Sequence, residues 1–437
     1  MVSAPAFFIE SLFRFYFDRK ARLAVEDLFK KFSYRYTQNE AKSFKTPLVY
    51  LKAGFLNLIK SNTSSDALKR ETCLYDNASD FESGDRAYLK ALGINEANFL
   101  FKNKLPNHLG GVEKSVNLIL LGFLSFFLLP WALISKDKAR SGLIFLELSE
   151  ITLLLSNLRI NGAKKLLILS SYEKEICFTS WYIQEKLNAK VYLFPSPNPI
   201  KHLYKNVICD TFVFSAPFQK KEYELLKNNW YVNKMENWPP YGFQDIEINK
   251  ENETAKNTIG FVSSGMELRR SLQHVEPYGN LDYEAETTLI SCLQLFLSNY
   301  PEVSLIVYLH PREKMESNME FTKSYYKKVF GDKFKFAPIE SQTKACLSLC
   351  DVAISGFSSA QFERLFGGYK TLFAPLGFLS NYFSDNTLDL ISIHSKNDFD
   401  RQLLTAMNKP VNEYFETEGL KVYRWDSYSV LTKSIAA

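Results

Sequence analysis

The chain has 437 residues, about three times the usual domain size, so two domains or one large domain with additions are expected. Hydrophobic residues make up 46% and charged residues 23%, which is typical of a globular protein and excludes a largely disordered one. The formal charge of +5 is small for this length, and basic and acidic residues are interleaved, which argues against a nucleic-acid-binding protein. An anionic small ligand or an anionic membrane surface fits this charge better.

The first 32 residues, "MVSAPAFFIESLFRFYFDRKARLAVEDLFKKF", are apolar and basic but lack the uninterrupted core of a signal peptide. They predict amphipathic helix. Six cysteines are scattered through apolar segments without the density of a disulfide framework: Cys73, Cys177, Cys209, Cys292, Cys346 and Cys350. We therefore expect reduced, buried thiols, a cytosolic protein and no metal site.

Residues 116–134, "VNLILLGFLSFFLLPWALI", have the length and composition of a membrane span. Lys114 precedes this stretch, and Lys136, Lys138 and Arg140 follow it. Three interpretations remain open: a shallow interfacial or re-entrant membrane helix, a buried core helix, and a true span. The first and the third place the protein at a membrane.

From residue 149 the pattern alternates between helix and strand. The predicted order is helix "SEITLLLSNLRI", strand "KKLLILSS", helix "EKEICFTSWYIQEKL", strands "AKVYLFPSP" and "DTFVFSAP", and helix "KKEYELLKNN". Residues 230–257 contain a Pro pair, no helical period and a charged tail, which indicates an interdomain linker.

The alternation then restarts. It predicts strands at "NTIGFVSSG", "VSLIVYL", "KFKFAP", "DVAIS" and "KTLFAP", and helices at "EAETTLISCLQLFLSN", "SNMEFTKSYYKKVFG", "SQTKACLSLC" and "SAQFERLFG". The fold class is therefore α/β, with two Rossmann-like units facing a cleft. We place them at residues 149–240 and 257–437, after a mainly helical, partly membrane-associated extension over residues 1–148.

Three strands of the second unit end in small or polar turns, which are Ser263-Ser264-Gly265, His310-Pro311 and Ser355-Gly356-Phe357-Ser358-Ser359. One such turn is most simply a strand that surfaces into a polar loop, and a Ser before a helix most simply caps it. Three together favour a ligand site, because the carboxyl ends of parallel strands lie along one edge of the sheet. The last turn opens into a helix, where hydroxyl and amide groups predict a phosphate site.

The stretches "YLHPRE" and "CDVAISGFSSAQFERL" resemble the HP and serine motifs of bacterial GT-B transferases with cytidine-nucleotide donors. These are the sialyltransferases, the capsule-type Kdo transferases and the CDP-glycerol glycerophosphotransferases of teichoic acid synthesis. The resemblance covers roughly residues 257–437 and implies that His310, Ser358 and Ser359 contact the donor phosphate. Sialyltransferases also carry an acidic motif in the first half that supplies the general base, and this sequence departs from them there.

Other candidate residues rest on weaker patterns. Glu173 and Glu175 follow a strand of the first unit and are the candidates for the base, although acidic residues also favour a first helical turn on dipole grounds. Arg269 and Arg270 could bind phosphate or an acidic acceptor, or lie on a solvated helix face. Glu363 could reach a donor ribose or sugar, or form a surface salt bridge.

The sequence thus predicts a metal-independent glycosyltransferase of bacterial surface polysaccharide synthesis (capsule, lipopolysaccharide or O-antigen), without a cofactor and peripheral to the inner membrane. Its partners would be a nucleotide-activated sugar, with a CMP-sugar favoured, and a glycan or lipid-linked glycan acceptor. Residues 149–240 would bind the acceptor and residues 257–437 the donor. Two alternatives remain, a CDP-polyol phosphotransferase and a catalytically inactive GT-B binding module.

Overall fold

A computed structural model describes most of the chain. The described residues are 2–29, 40, 42–63, 72–75, 99–101, 107–168, 176–194, 206–226, 230–238, 246–249, 257–272, 280–356, 358–376, 386–417 and 420–424.

The first unit is built on a parallel sheet of six described strands in the order β2-β1-β3-β4-β5-β6. These are β1 Thr72–Tyr75, β2 Phe99–Phe101, β3 Lys165–Ile168, β4 Lys190–Leu193, β5 Val207–Phe214 and β6 Trp230–Asn237. Strand β5, "VICDTFVF", is apolar at six of its eight positions because helices cover a parallel sheet on both faces. The order reverses between β1 and β3, so this sheet has a topological switch point there.

Six of the described helices pack around this sheet and form the first core with it. They are α1 Ala4–Arg14, α2 Arg19–Leu28, α3 Lys45–Ile59, α4 Gly111–Ile134, α5 Lys138–Ile160, and α6 Ile176–Tyr182 with a π-helical continuation Ile183–Leu187. A further helix, α7 Pro217–Leu226, follows β5. Polar contacts fix α1 in place, since Arg14 pairs with Glu185 at 2.8 Å and the Val2 amide donates to Glu113. The described residues within 1–148 are mainly helical, as predicted, and they also supply two strands of the first sheet.

The second unit is a parallel sheet of five strands in the order β11-β10-β7-β8-β9. Its strands are β7 Thr258–Val262, β8 Ser304–Tyr308, β9 Phe334–Phe336, β10 Val352–Ser355 and β11 Lys370–Phe373. Its α-helices are α8 Met266–Ser271, α9 Asn280–Asn299, α10 Glu316–Phe330, α11 Ser359–Gly367, α12 Asn386–Asp389, α13 Phe399–Asn408 and α14 Val411–Thr417. Short 3₁₀ turns lie at Thr343–Ala345, Leu347–Leu349, Lys396–Asp398 and Leu420–Tyr423.

The two units are connected by more than the chain between them. Phe218 of α7 belongs to the second core and its ring lies 4.9 Å from that of Phe362 on α11. The Asn249 amide donates to the Gly367 carbonyl at 2.9 Å. Two parallel sheets with crossover helices confirm the α/β class and the two Rossmann-like units.

Two predictions of local structure are wrong. Residues 230–237, predicted as linker, form β6, which pairs with β5 from Val207↔Trp230 to Phe214↔Asn237. The strand lies at the edge of the described sheet, where it has a strand neighbour on one side and charged residues are tolerated. Its pattern therefore resembles that of a loop.

The predicted helix "SQTKACLSLC" is instead two 3₁₀ turns that meet at Cys346. Contacts with residue 247 replace helical hydrogen bonds in this segment. The Glu247 amide donates to the Lys344 carbonyl at 2.8 Å, and the Ser348 amide donates to the Glu247 carboxylate at 3.0 Å.

Helix α4 contains the predicted apolar stretch and is the one described helix long and apolar enough to cross a membrane. It packs against the protein along one face, where Asn117, Leu121 and Leu124 are buried. Its other face is exposed and apolar, with Ile119 70% and Phe126 76% exposed. Only 22% of the apolar window is buried, which contradicts the buried core helix as an interpretation.

Candidate functional site

The second sheet has a topological switch point between β7 and β10. From β7 the chain moves outward to β8 and β9, then returns to the other side of β7 to form β10 and β11. In open α/β sheets, ligands bind outside the carboxyl ends of the strands at such a point. The three predicted turns follow β7, β8 and β10, which are neighbours in the sheet, so the fold brings them to one place.

The β7 turn has a conformation that favours glycine. Gly265 lies at φ +67°, and a Cβ there would come within 3.3 Å of the His310 Cβ. The Gly265 amide donates to the Ser263 hydroxyl at 2.9 Å, which closes the turn. The Ser264 and Met266 amides donate to the Glu286 carboxylate of α9, at 2.6 and 3.0 Å.

The β8 turn begins at His310, whose imidazole is partly exposed at the sheet edge. The Arg312 amide donates to His310 Nδ1 at 3.1 Å, and the Arg269 Nη2 lies 3.2 Å from His310 Nε2. Burial, and then the charges of Arg269 and Arg312, lower the pKa of His310 to about 3. The imidazole is therefore neutral at physiological pH.

The two arginines of α8 have different environments. Arg269 reaches the imidazole of His310, whereas the guanidinium of Arg270 lies over the ring of Tyr283, 4.5 Å from its centroid. The structure thus brings Arg269 to the cluster of turns and holds Arg270 against α9.

Helix α11 starts at the β10 turn and is fixed firmly. Gln361 Nε2 donates to the carbonyls of Ala353 and Leu372, which ties the first turn of the helix to β10 and β11. The buried guanidinium of Arg364 donates to the Leu347 carbonyl at 2.6 Å. The helix N-terminus is therefore held beside the switch point.

The serines at this turn have distinct roles. Ser358 caps α11, with its Oγ accepting from the Ala360 amide at 3.3 Å. Ser359 is partly exposed and its hydroxyl has no hydrogen bond to any described residue. The side chain of Ser355 is completely buried beneath the turn, and its hydroxyl is likewise without a partner in the described structure. Glu363, one turn further along α11, is partly exposed.

Three residues of this site were not among the predicted ones. Glu313 accepts from the His310 amide at 2.8 Å and from the Tyr326 hydroxyl at 3.0 Å, and Glu286 binds the β7 turn. A signal for Glu286 is present in "EAETTLISCL", because it shares the buried helix face with Leu289 and Leu293. Glu313 is the last residue of the stretch "YLHPRE", two residues after Pro311.

The proposed bases Glu173 and Glu175 lie outside the described residues. They follow β3, which ends at Ile168 beside the switch point of the first sheet.

Comparison with known proteins gives similarities of low identity. No family model and no curated protein sequence matches this chain. Similar solved structures include a glycosyltransferase from Rickettsia africae, with 11% identity, a TM-score of 0.42, and 81% of this chain and 93% of that chain covered. HepE of Anabaena in complex with UDP and glucose has 8% identity, a TM-score of 0.42, and coverage of 84% and 98%.

TarM has 12% identity and a TM-score of 0.39, and covers 64% of this chain. This chain spans about half of TarM, 56% of its length. At these identities the fold class rests on the two parallel sheets described above, and the function has to be argued from the site.

Proposed function

We propose that the protein is a GT-B-type glycosyltransferase that binds the phosphate of a nucleotide-sugar donor at the switch point of the second sheet. The ligand groups are the guanidinium of Arg269, the imidazole of His310 and the α11 N-terminus with Ser359. Strands β8 and β10 are two strand spacings apart, about 10 Å, which is a span that a nucleotide with its phosphates can fill.

The pair of His310 and Arg269 carries this proposal. A neutral imidazole has one donor and one acceptor nitrogen, but here both nitrogens face a group that can only donate, the Arg312 amide and the Arg269 guanidinium. If Nδ1 accepts from the Arg312 amide, Nε2 carries the proton. Two donors, Nε2–H and the Arg269 guanidinium, then face each other. An anionic oxygen that accepts from both Nε2–H and Arg269 resolves this arrangement, and a phosphate provides one.

The chemistry follows from this placement. The bond between the anomeric carbon of the sugar and the donor phosphate oxygen breaks, the acceptor hydroxyl oxygen bonds to that carbon, and its proton passes to a base. The leaving phosphate gains negative charge in the transition state, where Arg269, His310 Nε2–H and the α11 amides stabilise it without a metal ion. The base would come from the first unit, and Glu173 and Glu175 remain the candidates.

The nature of the donor and acceptor is proposed from the resemblance of the HP and serine motifs. It supports a CMP-sugar donor and a glycan or lipid-linked glycan acceptor in bacterial surface polysaccharide synthesis. A CDP-polyol phosphotransferase would use the same phosphate site and transfer a phosphate ester in place of a sugar. An inactive GT-B module would bind glycan or partner proteins and turn over no nucleotide donor.

We also propose that the protein lies on the cytoplasmic surface of a membrane through the exposed face of α4. A span is disfavoured because the other face of α4 is bound to the first core, with the Asn117 amide group donating to the Val2 carbonyl at 3.0 Å. Lys136 and Lys138 directly follow the apolar helix, and cations at that position favour an anionic lipid surface.

The experiment that tests the activity is a donor panel. The purified protein would be incubated with CMP-sugars, CDP-polyols and UDP-sugars and a glycan acceptor, and the released nucleotide and the product mass measured. Release of CMP together with a product heavier by one sugar supports the proposal. A product heavier by a polyol phosphate would assign the phosphotransferase, and no turnover of any donor would contradict both.

A further inference from the structure

A chain of hydrogen bonds beneath the phosphate site joins the β7 turn to the β8 turn. The Tyr326 hydroxyl lies 2.8 Å from the Ser263 Oγ and 3.0 Å from the Glu313 Oε1. The other carboxylate oxygen of Glu313 accepts from the His310 amide at 2.8 Å, and Ser263 accepts from the Gly265 amide at 2.9 Å. The chain therefore joins the two turns at Glu313, both through the Tyr326 hydroxyl and through a direct hydrogen bond between the Ser263 side chain and Glu313.

Glu286 holds the other side of the β7 turn. Its two oxygens accept from the Ser264 and Met266 amides, which flank the left-handed Gly265. The turn is thus bound at Ser263 by α10 and at Ser264 and Met266 by α9. Arg269 lies three residues after Met266, less than one helical turn along α8. Its position therefore depends on the hydrogen bonds that hold the β7 turn.

Burial of these three ionisable side chains lowers the stability of the fold. Glu286, Glu313 and Tyr326 are 8%, 3% and 1% exposed. Burial raises the pKa of both carboxyl groups and of the tyrosine, that of Glu313 to about 7. The charge of Glu286 also raises the pKa of Glu313. Two neighbouring buried carboxyl groups destabilise a fold, and such groups are concentrated at functional sites.

We propose that Glu313, Tyr326 and Glu286 are positioning residues that fix the spacing between His310 and Arg269 and so set the affinity for the donor phosphate. This inference rests on the proposed function for the identity of the ligand. None of the three touches the ligand. They act through the main chain of the two turns that carry His310 and Arg269.

Tyr326→Phe tests this inference, because it removes one hydroxyl that hydrogen-bonds both Glu313 and Ser263 and leaves the rest of the ring. Tyr325→Phe is the matched control, since Tyr325 is the neighbouring residue on α10 and its hydroxyl has no hydrogen bond to a described residue. Glu313→Gln is a second variant, which keeps an acceptor for the His310 amide. The measurements are calorimetric binding of CMP and of inorganic pyrophosphate, thermal unfolding, and the NMR signals of the His310 ring.

We expect Tyr326→Phe to weaken binding of CMP and of pyrophosphate at least roughly tenfold at a temperature where it is fully folded, and to shift the His310 ring signals. Tyr325→Phe should change neither, and Glu313→Gln should retain more affinity than Glu313→Ala. A lower melting temperature with unchanged affinity and unchanged ring signals would overturn the inference, because the chain would then be purely structural.

The result can be separated from a failure of the proposed function. If the unmodified protein binds neither CMP nor pyrophosphate, the proposed function fails. The ring signals of His310 in the ligand-free protein still test the positioning role in that case. Unchanged signals in Tyr326→Phe would contradict it.

Discussion

The Arg269 guanidinium lies 3.2 Å from His310 Nε2, while the Arg312 amide faces the other nitrogen of the same ring. The first prediction follows from this pair. His310→Ala and Arg269→Gln should each lower turnover on the order of a hundredfold, because a preorganised donor to the leaving phosphate is lost. Arg270→Gln is the matched control, because that guanidinium stacks on Tyr283, and we expect nearly normal turnover. Equal losses in Arg269→Gln and Arg270→Gln would contradict the assignment.

The second prediction concerns the charge of His310. Because burial and two arginines lower the pKa of His310 to about 3, its ring should stay neutral from pH 8 down to pH 5. The long-range ¹H–¹⁵N signals of the ring should show one protonated nitrogen throughout this range. A ring that titrates near pH 6.5, as an ordinary histidine does, would mean that His310 is neither buried nor close to the two arginines as it is in this structure.

The third prediction is that Glu313 makes the stability pH-dependent. The pKa of Glu313 is about 7 in the folded protein, because of burial and then the charge of Glu286, against about 4.3 in an unfolded chain. The pKa of Glu313 is higher in the folded than in the unfolded protein. Its contribution to the free energy of unfolding is therefore fully present below pH 4.3 and is lost as the pH rises through 7.

Glu313→Gln cannot ionise, so it should lose less stability than the unmodified protein between pH 5 and pH 8. The difference should be on the order of 3 kcal/mol. Urea unfolding at a series of pH values measures it. If the free energy of unfolding changes with pH in the same way for the two proteins, Glu313 does not titrate in this range.

The fourth prediction separates the two serines of the β10 turn. Ser358→Ala removes the cap of α11 and should lower the free energy of unfolding by about 1 kcal/mol. Ser359→Ala removes a hydroxyl without a described partner and should leave stability unchanged while weakening donor binding. Thermal unfolding and calorimetry of both variants check this, and a stability loss in Ser359→Ala alone would reverse the two roles.

The fifth prediction concerns the apolar face of α4. The protein should float with vesicles that contain phosphatidylglycerol and bind less to neutral ones. Phe126→Asp should weaken this binding without unfolding the protein, because Phe126 is 76% exposed. Leu121→Asp is the contrasting variant, since Leu121 is buried and its replacement should unfold the first unit. Normal flotation of Phe126→Asp would mean that this face does not contact lipid.

Sequence periodicity predicted most of the second unit correctly because its strands are short apolar runs between amphipathic helices. It failed at β6 and at residues 341–350, where the structure depends on tertiary pairing. An edge strand with charged positions and a segment bound by Glu247 have no periodic signature of their own.

The same distinction applies to the site. The turns after β7, β8 and β10 were visible as polar residues at strand ends, and the parallel sheet necessarily places them together. The contact of Arg269 with His310 was not predictable, because it depends on the left-handed turn at Gly265 that sets the direction of α8. Tyr326 was hidden within a helix whose buried face suggested packing alone, and the signal for Glu286 was limited to an acidic residue on a buried helix face.

Donor binding tests the account most directly. Calorimetry without added metal would compare CMP and CDP with UMP and UDP, for the unmodified protein and for Arg269→Gln. The account predicts at least roughly tenfold tighter binding of the cytidine nucleotides, because a site that hydrogen-bonds the cytosine amine leaves groups unpaired with uracil, and a loss of that binding in Arg269→Gln. Equal binding of uridine nucleotides would contradict the cytidine donor. Undiminished binding by Arg269→Gln would contradict the phosphate site itself.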